Sequence, residues 1–494
     1  MKFGKRLVIG SLLAALSLVA ATSAFATPDP GTATTNAVVQ NKGTTQAAVA
    51  VNYYAQDGTL SLTTNATIQA GAVAEFKTAD TTLPAGYEGS AVVSSDQPLA
   101  AIVSLKNSGV SASSGSLTQG AYNGTSTPAS SISFPSVWGF DGIGSVVTIQ
   151  NTSSDATVLT VDFFDRSGTD LGSRTINLNG FGSVTIDMGN SSDLPSGFPS
   201  DFSDGSISVS SSATDIAGAS TAYWPNRQGA YQALTSANAG TVLYAPSHFA
   251  FKANASDDEF TLFSALNIQN TTATAAPITI EYFTRGDTSG NAALTLTCTV
   301  PANSAVGVNV KNGGSGCGFT TSSFSDLGTS WDGAVKVTSD NSINLVGTGI
   351  TNWGTNGYAG MYAMVTTSDA SDKIFIPAQY RRSAGGWAQW SAINLQNIGT
   401  STVAAADITV TYIDTNGNTV ATFTGSQLPS DLAAGAAFGL NTRNGGGLDA
   451  TDFDGLGDSF IGGIIVEGPT GAQLVAVNNI IYSNRASVYN GIPE

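Results

Sequence analysis

Residues 147–168 read VTIQNTSSDATVLTVDFFDRSG: an apolar run closed by Ile149-Gln150-Asn151, a polar turn, a second run ending in Phe163-Phe164, and a turn at Ser167-Gly168. Alternation of apolar and polar residues with period two marks a strand with one buried face. Ser167-Gly168 is hairpin chemistry, because Gly accepts positive φ. The apolar-Gln-Asn triplet returns at Val39-Gln40-Asn41, Ile268-Gln269-Asn270 and Leu395-Gln396-Asn397, at spacings of 110, 119 and 127 residues. An aromatic follows the Asn by 12 residues in three copies (Tyr53, Phe163, Tyr282) and by 15 in the last (Tyr412). The hairpin turn is repeated as Asp57-Gly58, Arg285-Gly286 and Asn416-Gly417.

Further along each copy, an aromatic precedes a Gly and another alternating run, as in residues 87–93 and 331–337, and then a Gly-rich turn leads to Tyr122, Tyr231, Tyr362 or Tyr489. Short strands with frequent turns, and no sustained helical period after the first residues, predict an all-β chain of four tandem immunoglobulin-like β-sandwich domains. The expected division is a leader at residues 1–26 and repeats at 27–133, 134–243, 244–373 and 374–494. Units of this size can bury their own cores, so the sequence predicts beads on short linkers. Repeats two to four are each preceded by an apolar strand that is expected to end at Pro135, Pro246 and Pro377. The first is preceded only by polar residues 27–36. If that strand completes the domain after it, the first domain has an open edge through which copies could associate.

The leader carries Lys2, Lys5 and Arg6, an apolar core at residues 7–21 and Ala24-Phe25-Ala26, the pattern of a cleaved signal peptide. No later run is long and apolar enough for a membrane span, so the expectation is a secreted protein at the cell surface with no membrane insertion. Charged residues are 11% of the chain and the formal charge is −17, which disfavours nucleic acid as a partner and suits solvated turns and divalent cations. The two cysteines, Cys298 and Cys317, are expected to form a disulfide in an oxidising compartment.

Little of the sequence points to catalysis. His248 is the single histidine and is expected to sit solvated in a linker strand; no nucleophile elbow accompanies it, and the chain is read as having no catalytic residues and no enzymatic activity. Asp449, Asp452, Asp454 and Asp458 lie among glycines, a pattern able to hold calcium or to form an ordinary acidic loop; no other cofactor is expected. Arg285-Gly286-Asp287 matches an adhesion tripeptide but falls on the shared hairpin turn. Trp387 and Trp390 are the pair best spaced for an exposed sugar platform, against the packing role favoured for the other tryptophans.

Val39-Gln40-Asn41, residues 83–103 (LPAGYEGSAVVSSDQPLAAIV) and Tyr122-Asn123-Gly124 together resemble the secreted tandem-repeat surface proteins of filamentous bacteria of the Chloroflexi type. The resemblance covers nearly all of the chain after the leader and implies location and architecture, not chemistry. The function expected is a cell-surface structural protein that self-assembles as a filament, sheath or surface layer. Its partner would be itself. The alternatives are a carbohydrate-binding adhesin engaging cell-surface glycans and, less favoured, a glycoside hydrolase using two carboxylates.

Overall fold

The computed structural model describes residues 16–20, 32–108, 117–140, 143–224, 227–253, 259–354, 357–482 and 485–494. The cleavage motif at residues 24–26 lies outside the described residues, as does most of the leader. The first repeat comprises β1 Leu16–Ala20, β2 Thr32–Asn41, β3 Ala47–Ala55, β4 Leu60–Ile68, β5 Val73–Lys77, β6 Gly89–Ser95, β7 Leu99–Ser108 and β8 Leu117–Asn123. The second repeats this order as β9 Ser131–Phe140, β10 Ile143–Asn151, β11 Thr157–Asp165, β12 Asp170–Leu178, β13 Ser183–Asp187, β14 Asp204–Ser211, β15 Ile216–Trp224 and β16 Arg227–Gln232.

Each repeat folds into two antiparallel layers. In the first they run β4-β3-β6-β1 and β5-β2-β7-β8; in the second, β12-β11-β14-β9 and β13-β10-β15-β16, joined where β9 meets β10. The third and fourth repeats follow the second, with Val242–Lys252 and Lys373–Arg382 in the place of β9. The predicted alternation is present: along β11, Thr157, Leu159, Val161 and Phe163 are buried and the residues between them face outward. Four all-β sandwiches of immunoglobulin-like architecture therefore stand in tandem.

The triplet Asn is a staple. Asn151 donates through Nδ2 to the carbonyls of Asp155 (2.6 Å) and Asn179 (3.0 Å), and its Oδ1 accepts from the amide of Ser153 (3.0 Å). Asn41, Asn270 and Asn397 make the same set of bonds in their own repeats. A side chain that both donates and accepts can satisfy buried backbone on two sides of a turn that no strand pairs.

Three expectations need correction. The strands before repeats two to four do not end at their prolines. They run through Pro135, Pro246 and Pro377 and continue to Phe140, Lys252 and Arg382, because a β-bulge at each proline absorbs its missing N–H. The freed carbonyl after the proline is taken by the recurring tyrosine: Tyr231 Oη donates to Ser136 O (2.9 Å) and Tyr362 Oη to Ser247 O (2.7 Å). His248 follows that bulge and is fully buried against Tyr282 and Trp331, so it is neither solvated nor in a linker.

Nor are the repeats beads on linkers. The hairpin turn of each repeat packs on the next: Ser183 N donates to Gln56 O (3.0 Å), Ser304 Oγ to Arg166 O (2.7 Å) and Gly286 N to Ala437 O (2.9 Å). The fourth repeat makes the same approach to the first, where Gly417 lies against Gln69 and Ala70. Four equivalent strands, β8, β16, Tyr358–Ala363 and Arg485–Asn490, pack around a common axis, each on its neighbours, with β8 and Arg485–Asn490 closing the circle. The result is a closed ring of four sandwiches. Small residues permit it, since a Cβ at Gly120, Gly229 or Gly360 would press on Ala230, Met361 or Val488 of the following repeat.

Candidate functional site

The first sandwich differs from the others at one edge. β14 and its counterparts are interior strands, each covered by a long strand with a proline bulge. On β6 that place is taken by β1, five residues from within the leader, pairing Leu16 with Val93 through Ala20 with Gly89 without a bulge. β6 itself reads Gly-Ser-Ala-Val-Val-Ser-Ser and carries neither charge nor proline, the devices that normally blunt an edge strand. Ala91 and Val93 are core residues, as their counterparts in the interior strands are.

Beside this edge a cavity of about 1140 Å³ opens at one pole of the ring. The ends of all four axial strands reach it through Asn123, Gln232, Ala363 and Asn490, and the turn after β6 forms a further wall. Its rim is also where the ring closes. Asn123 Nδ2 donates to Asn490 O (2.8 Å), Asn490 N to Asn123 Oδ1 (2.9 Å), and Lys42 Nζ to Pro493 O.

The seams between repeats differ in chemistry. Between the second and third, Arg166 pairs with Asp204 (2.9 Å) and donates to Asn267 Oδ1 (2.9 Å), while Asn267 Nδ2 donates to Ser136 Oγ (2.9 Å). Arg285, Asp332, Asn394 and Ser247 rebuild this clasp between the third and fourth. Between the fourth and first, no such clasp recurs: Val38, Val73 and Ile102 share one core with Ile374 and Ile376, flanked by Tyr380 Oη donating to Glu75 (3.2 Å) and Arg485 Nε to Gln119 Oε1 (2.8 Å). Arg285 of the Arg-Gly-Asp tripeptide is thus committed to a seam.

Of the carboxylates read as a calcium site, Asp449 and Asp452 form a capping box at the start of the 3-10 helix Ala450–Leu456. Asp454 and Asp458 pair with Arg381 at 2.7 and 3.0 Å. They do not converge on one point, and among the described residues no group of three or more metal-ligating side chains is present. Cys298 and Cys317 are joined as a disulfide.

Trp387 and Trp390 meet edge to face, ring centroids 6.3 Å apart. Trp390 is buried and Trp387 half-buried, so they form the corner of a cleft rather than a flat platform. Arg443 lies 4.4 Å over the Trp390 ring and Arg381 5.5 Å over Trp387. Trp353 and Tyr358 of the third repeat and Tyr482 of the fourth complete this cleft, of about 430 Å³. The sequence could not supply those partners, because Trp353 and Tyr358 reach the cleft only where the third repeat packs on the fourth, and Tyr482 comes from a strand far along the chain.

Burial sets the titration of two core groups. The His248 imidazole, with both nitrogens unbonded, is held down to about 3 by desolvation. Asp187 is pushed up to about 6, again by burial; the Gly189 amide bond opposes the shift and the nearby Asp193 adds to it.

No family model and no curated protein matches this chain. Among solved structures, one similar chain is the tetra-tandem repeat in the extending region of a large adhesion protein. It is 13% identical, with 97% of this chain and 99% of that chain covered, and its TM-score of 0.10 carries no argument. Among the described residues no helix is long and apolar enough to cross a membrane.

Proposed function

We propose that this chain is an exported cell-surface structural protein whose four-sandwich ring is a building block, and that copies join through the β6 edge of the first repeat. The observation that carries this reading is the origin of β1: the strand that covers β6 lies inside the segment with signal-peptide pattern, so cleavage near Thr27 removes it. An uncharged, partly apolar edge is then left where three sister repeats have a covered interior strand. The strands that fit such an edge, β9, Val242–Lys252 and Lys373–Arg382, are already built into their own repeats. Two β6 edges meeting antiparallel about a twofold axis need no displaced strand, and so are favoured over head-to-tail donation. The disulfide suits an oxidising location.

Electron microscopy and sedimentation of residues 27–494 across a range of concentrations test the proposal. The expected result is concentration-dependent assembly, suppressed by Val92→Lys on β6 and by an added peptide with the sequence of β9, SISFPSVWGF. A particle that stays monomeric at high concentration, or assembly indifferent to both, would overturn it.

A further inference from the structure

The chain holds 35 acidic and 18 basic residues, so a local gathering of cations calls for a physical cause. Such a gathering lies at the pole opposite the large cavity, where the axial strands begin. Arg227 opens β16 and Arg485 opens the fourth axial strand; Lys106 lies near the end of β7, close enough to Arg485 for the two charges to repel. Arg382 ends Lys373–Arg382, and Arg443 lies in the turn after Ala437–Asn441. Among the described residues, Lys106, Arg227, Arg382 and Arg443 form no ion pair. Arg227 donates to Asn352 (3.1 Å), beside Trp353, and its Nε is buried without a hydrogen-bond partner.

Of these cations, Arg443 lines the aromatic cleft at the seam of the third and fourth repeats, Arg382 and Arg485 lie close to its Tyr482, and Arg227 bonds Asn352 next to its Trp353. Trp353, Tyr358, Trp387, Trp390 and Tyr482 wall it, Arg443 stacks on Trp390, and Arg485 stacks on Tyr482 at 4.1 Å. Arg381 is paired with both Asp454 and Asp458, which leaves one net negative charge beside Trp387, while Arg443 and Arg382 are the exposed cations on the fourth-repeat side.

We propose that this cleft binds an acidic polysaccharide, the rings stacking on sugar faces and the guanidinium groups pairing with carboxylate or sulfate. Aromatic walls complement the C–H faces of a pyranose, and a planar guanidinium matches an oxyanion in two-point geometry. A nucleic acid could also stack, but its charge at every nucleotide would meet the acidic surface beyond the cleft. The site is independent of the β6 edge.

Calorimetric titration of the chain carrying Val92→Lys, which removes the proposed assembly edge, separates the two readings. The probes are a hexameric oligogalacturonate, a sulfated oligosaccharide of similar length, neutral cellohexaose and a short oligo-dT. Binding is expected for the acidic sugars, whether one or both, falling as salt is raised. It should weaken about tenfold in Arg443→Glu and in Trp387→Ala, the loss of one stacking or charge contact. Both substitutions lie at half-buried or exposed positions, and unchanged melting would confirm an intact ring. No binding of either acidic sugar, equal binding of cellohexaose or oligo-dT, or indifference to both substitutions would overturn the proposal.

Discussion

His248 shows how one residue sets a pH limit. Its folded pKa lies below its unfolded value, so the unfolded chain binds the proton more readily, and the third repeat loses stability as pH falls through the range from 6.5 towards 3. His248→Val, which copies Val137 at the equivalent place in the second repeat, should remove this acid sensitivity, worth up to roughly 4 kcal/mol near pH 3; acid denaturation monitored by fluorescence would check it. Asp187 works the other way. Its raised folded pKa makes its contribution fully present below about pH 4 and lost as pH rises through about 6, so Asp187→Asn should stabilise the protein at pH 7.5 and leave pH 4 little changed. Asn270→Ala should cost about 2–3 kcal/mol in urea unfolding, because the turn carbonyls lose their donor while staying buried. The importance of this Asn was legible in the sequence as recurrence. Its role was not, since one of the carbonyls it satisfies, that of Pro301, lies 31 residues further along.

At the scale of elements, the strands and hairpins were readable because period two and Gly turns are local signals. The proline bulge was not: a proline in an apolar run reads as a stop, and only the partner strand and the tyrosine hydroxyl that takes the freed carbonyl show that the strand continues. The disulfide was readable from compartment and count. Joining Cys298 in the strand Leu294–Val300 to Cys317 across 19 residues, it should contribute about 3 kcal/mol. Reduction, or Cys298→Ser, should lower the melting temperature of the whole ring, since the third repeat shares its core with Val477 and Val488 of the fourth. A melt unchanged by reduction would count against that sharing.

At the scale of the whole molecule, the closed ring was hidden from the sequence. Each repeat is large enough to stand alone, and the residues that join neighbours look like ordinary core and turn residues. Gly360 is an example: in the sequence it is one more small residue two places before a recurring tyrosine, while in the ring it is where a neighbouring valine passes. Gly360→Val should therefore open or distort the ring, raising the radius of gyration from the value of about 23 Å expected for a compact chain of this length; small-angle scattering would check it. The unequal seams also bear on the order of events during synthesis. Chains emerge N-terminus first, and domains fold as they appear. The first repeat is made first, yet the apolar face around Val38, Val73 and Ile102 finds its cover only when the last repeat arrives. The growing chain must carry that greasy face through most of its own making, which makes the opening repeat the natural client of a chaperone and any premature stop a source of sticky fragments.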